Sequence, residues 1–198
     1  KSAMRPIVAA PTAGACGCVA GTLCALSDRM HFERGRIIRA LLSAGLIGLF
    51  FCDQATFAAE VGGCQMECGA ASGMAAAAVA ELFGGSAQQC LAAASMALQG
   101  ITGLACDPVA GRVESPCLNK NIMAGVNALA SATMALANFD QVIPLDQTID
   151  AIYEIGNSLP QALRCTHGGL GLTRASAEIQ ARLDSQFPPH ESNSGELR

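Results

Sequence analysis

The sequence predicts an all-α fold, a bundle of buried Ala/Gly-rich helices joined by irregular glycine- and proline-rich loops. Three observations lead there. Of the 198 residues, 51% are hydrophobic but only 4% aromatic, with 21 Gly and an alanine run from Ala75 to Ala78. Apolar positions recur at helical spacing, and no region shows the alternation of a half-buried strand. Clusters of Gly and Pro then divide the chain into helix-length pieces.

The first stretch, Arg5 to Gly21 (RPIVAAPTAGACGCVAG), reads as an extended piece entering a glycine-rich turn, with Thr12 placed to cap a helix or touch a ligand. A helix is expected from about Gly21 to Met30, then a charged link, His31 to Arg36, and a strongly apolar helix from about Ile37 to Cys52. Asp53 begins a new segment to Val61. Gly62 and Gly63 break the pattern, and Cys64 stands where a long Ala-rich helix starts, ending near Phe83. A second Ala-rich helix is expected over about Ser86 to Ala105, stopping at Cys106-Asp107-Pro108. Pro108, Gly111 and Pro116 keep about the next ten residues out of helix, and Cys117 opens another helix to about Asn138. Ile149, Ile152, Tyr153 and Ile155 share helical spacing within Asp146 to about Leu159, with Asp146 as N-cap. Thr166 to Gly171 (THGGLG) is a turn, and Thr173 to Leu183 a final amphipathic helix. One domain, residues 1–183, and a polar, disordered tail, residues 184–198, are therefore expected.

Composition narrows the function. The formal charge is -4 with only two lysines, Lys1 and Lys120, so no basic face is expected to track phosphates, and nucleic acid is not an expected partner. Charged residues make up 14%, against about 25% in ordinary soluble domains, which points to extensive burial. Leu82 to Cys106 and Asn121 to Phe139 carry no charge, yet they are mostly Ala and Gly interrupted by Gln88, Gln89, Gln99, Asn127, Ser131 and Asn138. Spanning helices draw their insertion energy from Leu, Ile, Val and Phe. A cytoplasmic protein with no membrane partner is expected.

Ten cysteines in an Ala-rich helical chain do not resemble a small disulfide scaffold, and no CxxC pair marks a zinc ribbon. An antiparallel hairpin of the two Ala-rich helices would return Cys106 to Cys64, and the Pro/Gly loop would bring Cys117 to the same point. Ligation of a metal by three thiolates is one use of such a triple. Burial as small apolar side chains is another, and on spacing alone the commoner one.

The surrounding stretches carry more information. Val61 to Met74 (VGGCQMECGAASGM), Gly103 to Asn121 (GLACDPVAGRVESPCLNKN), Arg5 to Gly17 (RPIVAAPTAGACG) and Asn138 to Arg164 resemble signatures of the iron-sulfur-dependent L-serine dehydratases, in particular the separate α chain of the two-subunit type. The resemblance runs from about residue 4 to residue 180. It implies a 4Fe-4S cluster held by Cys64, Cys106 and Cys117 with one iron open, and leaves Cys16, Cys18, Cys24, Cys52, Cys68, Cys90 and Cys165 structural. It implies elimination of water from L-serine to give pyruvate and ammonia, and a partner, either a β chain or a regulatory domain, in an oligomer. It also implies a chain shortened at its N-terminus.

Dehydration of serine expels a poor leaving group, so an electron sink or a Lewis acid is required. Pyridoxal phosphate is not expected, because Lys120 is the only internal lysine and no strand-helix alternation is present. Thr12, Lys120 and Asn121 lie in the matched motifs as donors for a substrate carboxylate, with cap, solvated and first-turn roles as their plain alternatives. His167 is a candidate base or an ordinary turn residue. Glu67 is either a hydrogen-bond acceptor beside the cluster or an arginine partner, and Asp107 fixes its loop. Two other functions remain open: cysteine desulfidation by the same chemistry, and a non-catalytic metal-binding or structural module.

Overall fold

The computed structural model describes residues 6–187. Eight α-helices are found among them: α1 Cys16–Met30, α2 Arg34–Gln54, α3 Ala59–Gly62, α4 Ala70–Leu82, α5 Ala87–Gln99, α6 Glu114–Leu136, α7 Leu145–Ser158 and α8 Arg174–Gln186. Two isolated bridges, Cys106 with Arg164 and Val109 with Arg112, are the only extended pairings among the described residues. The all-α expectation holds. Of the expected tail, residues 188–198 lie outside the described residues, and α8 reaches three residues past Leu183.

The bundle is organised around α4, whose side chains are buried on every side except Glu81. Ala70, Ala71, Ala75, Ala76, Ala77, Ala78 and Ala80 are all at most 1% exposed. Small side chains let helix axes approach closely, and α1, α2, α5 and α6 all pack on this one. From α2 come Ala40, Ala44, Ile47, Gly48 and Phe51, one helical stripe, with Gly48 directly against Met74. From α6 come Ala124, Ala128, Ala132 and Ala135 at the same spacing. Buried polar groups are satisfied across these contacts: Asn127 Nδ2 donates to Ser72 Oγ at 3.0 Å and to Ala97 O at 2.8 Å, and Ser72 Oγ donates to Ala124 O.

Several boundaries differ from the sequence reading, each for a local reason. Helix α1 starts at Cys16, before Gly21, because Asn121 Oδ1 accepts the Cys18 N–H and Thr12 Oγ1 accepts the Ala15 N–H. Between Cys64 and α4 the chain makes a π-helical turn, Gln65–Gly69, so Cys64 precedes the α-helix by one irregular turn. Helix α5 opens on the Ser86/Gln89 capping box and ends at Gln99, short of Ala105, because the Gly103 N–H is taken by Gln65 Oε1 at 2.7 Å. Helix α6 begins at Glu114, with Pro116 in a first turn where a missing N–H costs nothing. Pro144, not Asp146, is the N-cap of α7, its carbonyl accepting from Thr148 N.

Among the described residues the helix long and apolar enough to cross a bilayer is α2, Arg34–Gln54, rather than either stretch weighed from composition, and 28% of its most apolar window is buried. Leu42, Leu46 and Leu49 stand on its open face.

Candidate functional site

Three segments meet at one end of the α4/α5 hairpin. Gln65, fully buried, ties two of them: its Nε2 donates to Gly62 O at 3.0 Å and Ile152 O at 3.1 Å, while its Oε1 takes the Gly103 N–H and its own N–H donates to Leu104 O. The loop carrying Cys106 is thereby held against the turn carrying Cys64. Gly63 makes this approach possible, since its φ is +77° and a Cβ there would stand 2.8 Å from Leu104 O. The hairpin return expected from the sequence is what the fold delivers.

The third segment is the first turn of α6. Cys106 and Cys117 line one cleft of about 570 Å³ together with Thr12, Gly14, Glu60, Glu67 and Cys165. Cys64 lies fully buried behind it, and its thiol interacts with those of Cys68 and Cys106. None of the ten cysteines forms a disulfide. Among the described residues no three His, Cys, Asp or Glu side chains stand close enough for a single metal ion.

Charge follows the same plan. A hydrogen bond from Cys68 holds the Cys64 thiol below the usual thiol range against the opposing effect of burial, and Lys120 and the backbone of Cys68 act in the same direction. Burial pushes Cys106 up. Lys120 would be lowered by burial, but its hydrogen bond to Asp107 and the neighbouring thiols hold it above the ordinary lysine range. It is not solvated: Nζ pairs with Asp107 and donates to Ala105 O at 2.6 Å. Asp107 in turn accepts from Leu170 N, fixing the loop to the glycine-rich turn.

The other candidates divide. Thr12 Oγ1 donates to Glu67 Oε1 at 2.5 Å at the cleft wall. Asn121 faces the α1 turn, its Nδ2 donating to Gly14 O at 2.7 Å and Cys117 O at 2.8 Å, so it locks the Thr12 loop to the Cys117 turn. His167 is exposed and stands outside the cleft lining. Two further residues line the cleft: Glu67, offered by the sequence as a hydrogen-bond acceptor or an arginine partner, and Cys165, which the sequence left as structural. Glu67 pairs with Thr12, having no arginine partner among the described contacts, and its lone charge in an uncharged helix was the available signal. Cys165 lies against Cys106, and no local pattern pointed to it.

A second cleft of about 320 Å³ lies between α2, α5 and α7, lined by Phe50, Asp53, Leu91 and Asp146, and contains no thiol.

The fold and the cleft define a class: small-residue helical proteins that gather buried thiols from separate loops around a ligand-sized space. Comparison with known proteins makes the assignment specific. The family model "Serine dehydratase alpha chain" matches residues 1–171, and the chain belongs to that family. It is 43% identical over 181 residues to the "L-serine dehydratase, alpha chain" of Peptoniphilus asaccharolyticus, covering 91% of this chain and 62% of that one. It is 45% identical over 184 residues to the "Probable L-serine dehydratase, alpha chain" of Bacillus subtilis, covering 92% and 61%. The corresponding chain of Latilactobacillus sakei is 42% identical, with 94% of this chain and 90% of the relative covered. The chain thus spans about three fifths of the first two relatives.

Proposed function

We propose that this chain carries the cluster-binding half of an L-serine dehydratase, which eliminates water from L-serine to give pyruvate and ammonia. The reading rests on one observation above the others: in a chain of this family, Cys106 and Cys117 open into a cleft backed by Cys64 and walled by the Thr12–Glu67 pair. Cys64, Cys106 and Cys117 would hold a 4Fe-4S cluster, which when bound supplies a Lewis acid for the hydroxyl that must leave.

The chain's own residues do the rest of the binding. Lys120 lies within electrostatic reach of Cys64 and Cys106 and offsets the negative charge of thiolate ligands. Glu67 accepts the hydrogen bond of the Thr12 hydroxyl at Oε1. The Glu67 side chain, at the cleft wall, is the partner for the ammonium group of an amino acid. Asn121 acts through the backbone, keeping the Thr12 loop in register with Cys117. Catalysis is assigned to the assembly with a partner chain, as in relatives named as alpha chains.

Iron and acid-labile sulfide in the anaerobically reconstituted chain test this, wild type beside Cys106→Ala. About four of each per chain, lost in the variant, is the expected result. Wild type that binds no iron, or an assembled enzyme that releases sulfide from L-cysteine but no pyruvate from L-serine, would overturn it.

A further inference from the structure

Cys165 is the cysteine of the cleft that the proposed ligand set leaves unused. It sits at a built junction. Cys106 N–H donates to Leu163 O at 2.9 Å and Cys165 N–H donates to Cys106 O at 2.8 Å, so the two residues are registered by the bridge between Cys106 and Arg164. The Cys165 backbone is thereby bonded directly to that of Cys106, and a disulfide needs the two Cα atoms within about 7 Å. Both side chains line the same cleft. Cys165 is half-buried while Cys106 is only 5% exposed. The other thiol pair, Cys64 with Cys68, is fully buried and closed to a solvent oxidant.

We propose that Cys106 and Cys165 form a reversible disulfide in the iron-free chain, making Cys165 a site of thiol oxidation that withdraws Cys106 from ligation. The oxidant is a low-molecular-weight disulfide such as oxidised glutathione. The Cys165 thiolate, the more accessible, attacks one sulfur of the small disulfide, breaking its S–S bond and releasing one thiolate. The Cys106 thiolate then attacks the Cys165 sulfur of the mixed disulfide, forming the protein S–S bond and releasing the second thiolate. Two protein thiols lose two electrons and two protons, and the small disulfide gains them as two thiols. The disulfide itself stands on the geometry alone; its effect on loading rests on the cluster reading above.

The test uses the full iron-free chain, reduced and then treated with oxidised glutathione. Free thiols are alkylated and the chain is digested and mapped by mass spectrometry without reduction. A linked peptide pair containing Cys106 and Cys165 is expected in wild type and absent in Cys165→Ser, where Cys106 stays alkylatable. Cys106 that remains alkylatable in oxidised wild type, or links to Cys64 or Cys117 instead, overturns the proposal. In parallel, iron uptake is compared. Oxidised wild type should load at least tenfold less iron than reduced wild type, recovering with dithiothreitol, while Cys165→Ser loads equally either way. Equal loading of disulfide-bearing and reduced wild type would overturn the withdrawal of Cys106. A reduced chain that loads no iron would instead remove the cluster reading and leave the peptide map to judge the disulfide.

Discussion

Glu67 shows how one residue's role follows from its partner. Thr12 donates to Glu67 at the cleft wall, and on the proposed reading this carboxylate receives the amino group of the substrate, so removing its charge without changing its shape should weaken capture of the amino acid more than the chemistry. In the loaded enzyme with its partner chain, Glu67→Gln should raise KM for L-serine about tenfold, about 1.4 kcal/mol, with a smaller effect on kcat. A fall in kcat at unchanged KM would assign proton transfer to Glu67. Cys18 gives a second residue-scale prediction. Burial pushes its thiol from 9.0 to about 12, so the folded chain keeps the proton that the unfolded chain gives up. Its contribution is complete below pH 9 and lost as pH rises toward 12, about a tenfold loss of the folding equilibrium per pH unit. Alkaline unfolding of Cys18→Ala should lack that component, and an unchanged alkaline limb would contradict it. The meeting of the Cys64, Cys106 and Cys117 segments was legible, because the motifs around the proposed ligands are long and the hairpin return follows from the Ala-rich helices. Glu67 was visible as a lone charge without a partner, since the Thr12 contact crosses 55 residues of chain. Cys165 was not visible at all, because its link to Cys106 runs through a bridge between segments far apart in sequence.

At the scale of elements, helix identity was legible and helix ends were not. The Ala-rich runs specify helix by propensity and spacing, whereas Gln65 ends α5 from outside by capturing the Gly103 amide, and Asn121 begins α1 by holding Cys18 N–H. No window around either helix contains that information. The turn at Gly63 concentrates this dependence, since one residue holds a left-handed φ and gives space to the neighbouring loop. Gly63→Ala should cost about 2 kcal/mol or more in urea unfolding, from the φ penalty together with the clash at Leu104 O. It should also lower iron loading, because the loops bearing Cys64 and Cys106 separate. A variant with wild-type stability would mean that the loop yields easily and that Gly63 is not what sets the spacing.

For the whole molecule, the candidate site is where the connections of the bundle converge, and none of the proposed thiolate ligands lies in the middle of a helix. Ligand geometry therefore depends on how the helices pack, and how the helices pack depends on alanine. The central helix is sheathed on all sides, yet each of its buried alanines removes far less hydrocarbon from water than a leucine would. That choice of residue has a calorimetric consequence. The heat-capacity change of unfolding scales with the apolar surface newly exposed and is about 12–15 cal/mol/K per residue in ordinary domains. A core of methyl groups should fall below that range. Its stability curve should be correspondingly broad, so scanning calorimetry of this chain should find a transition whose enthalpy changes little as pH shifts its midpoint. An ordinary value would mean that the open leucine face of α2 is covered in solution.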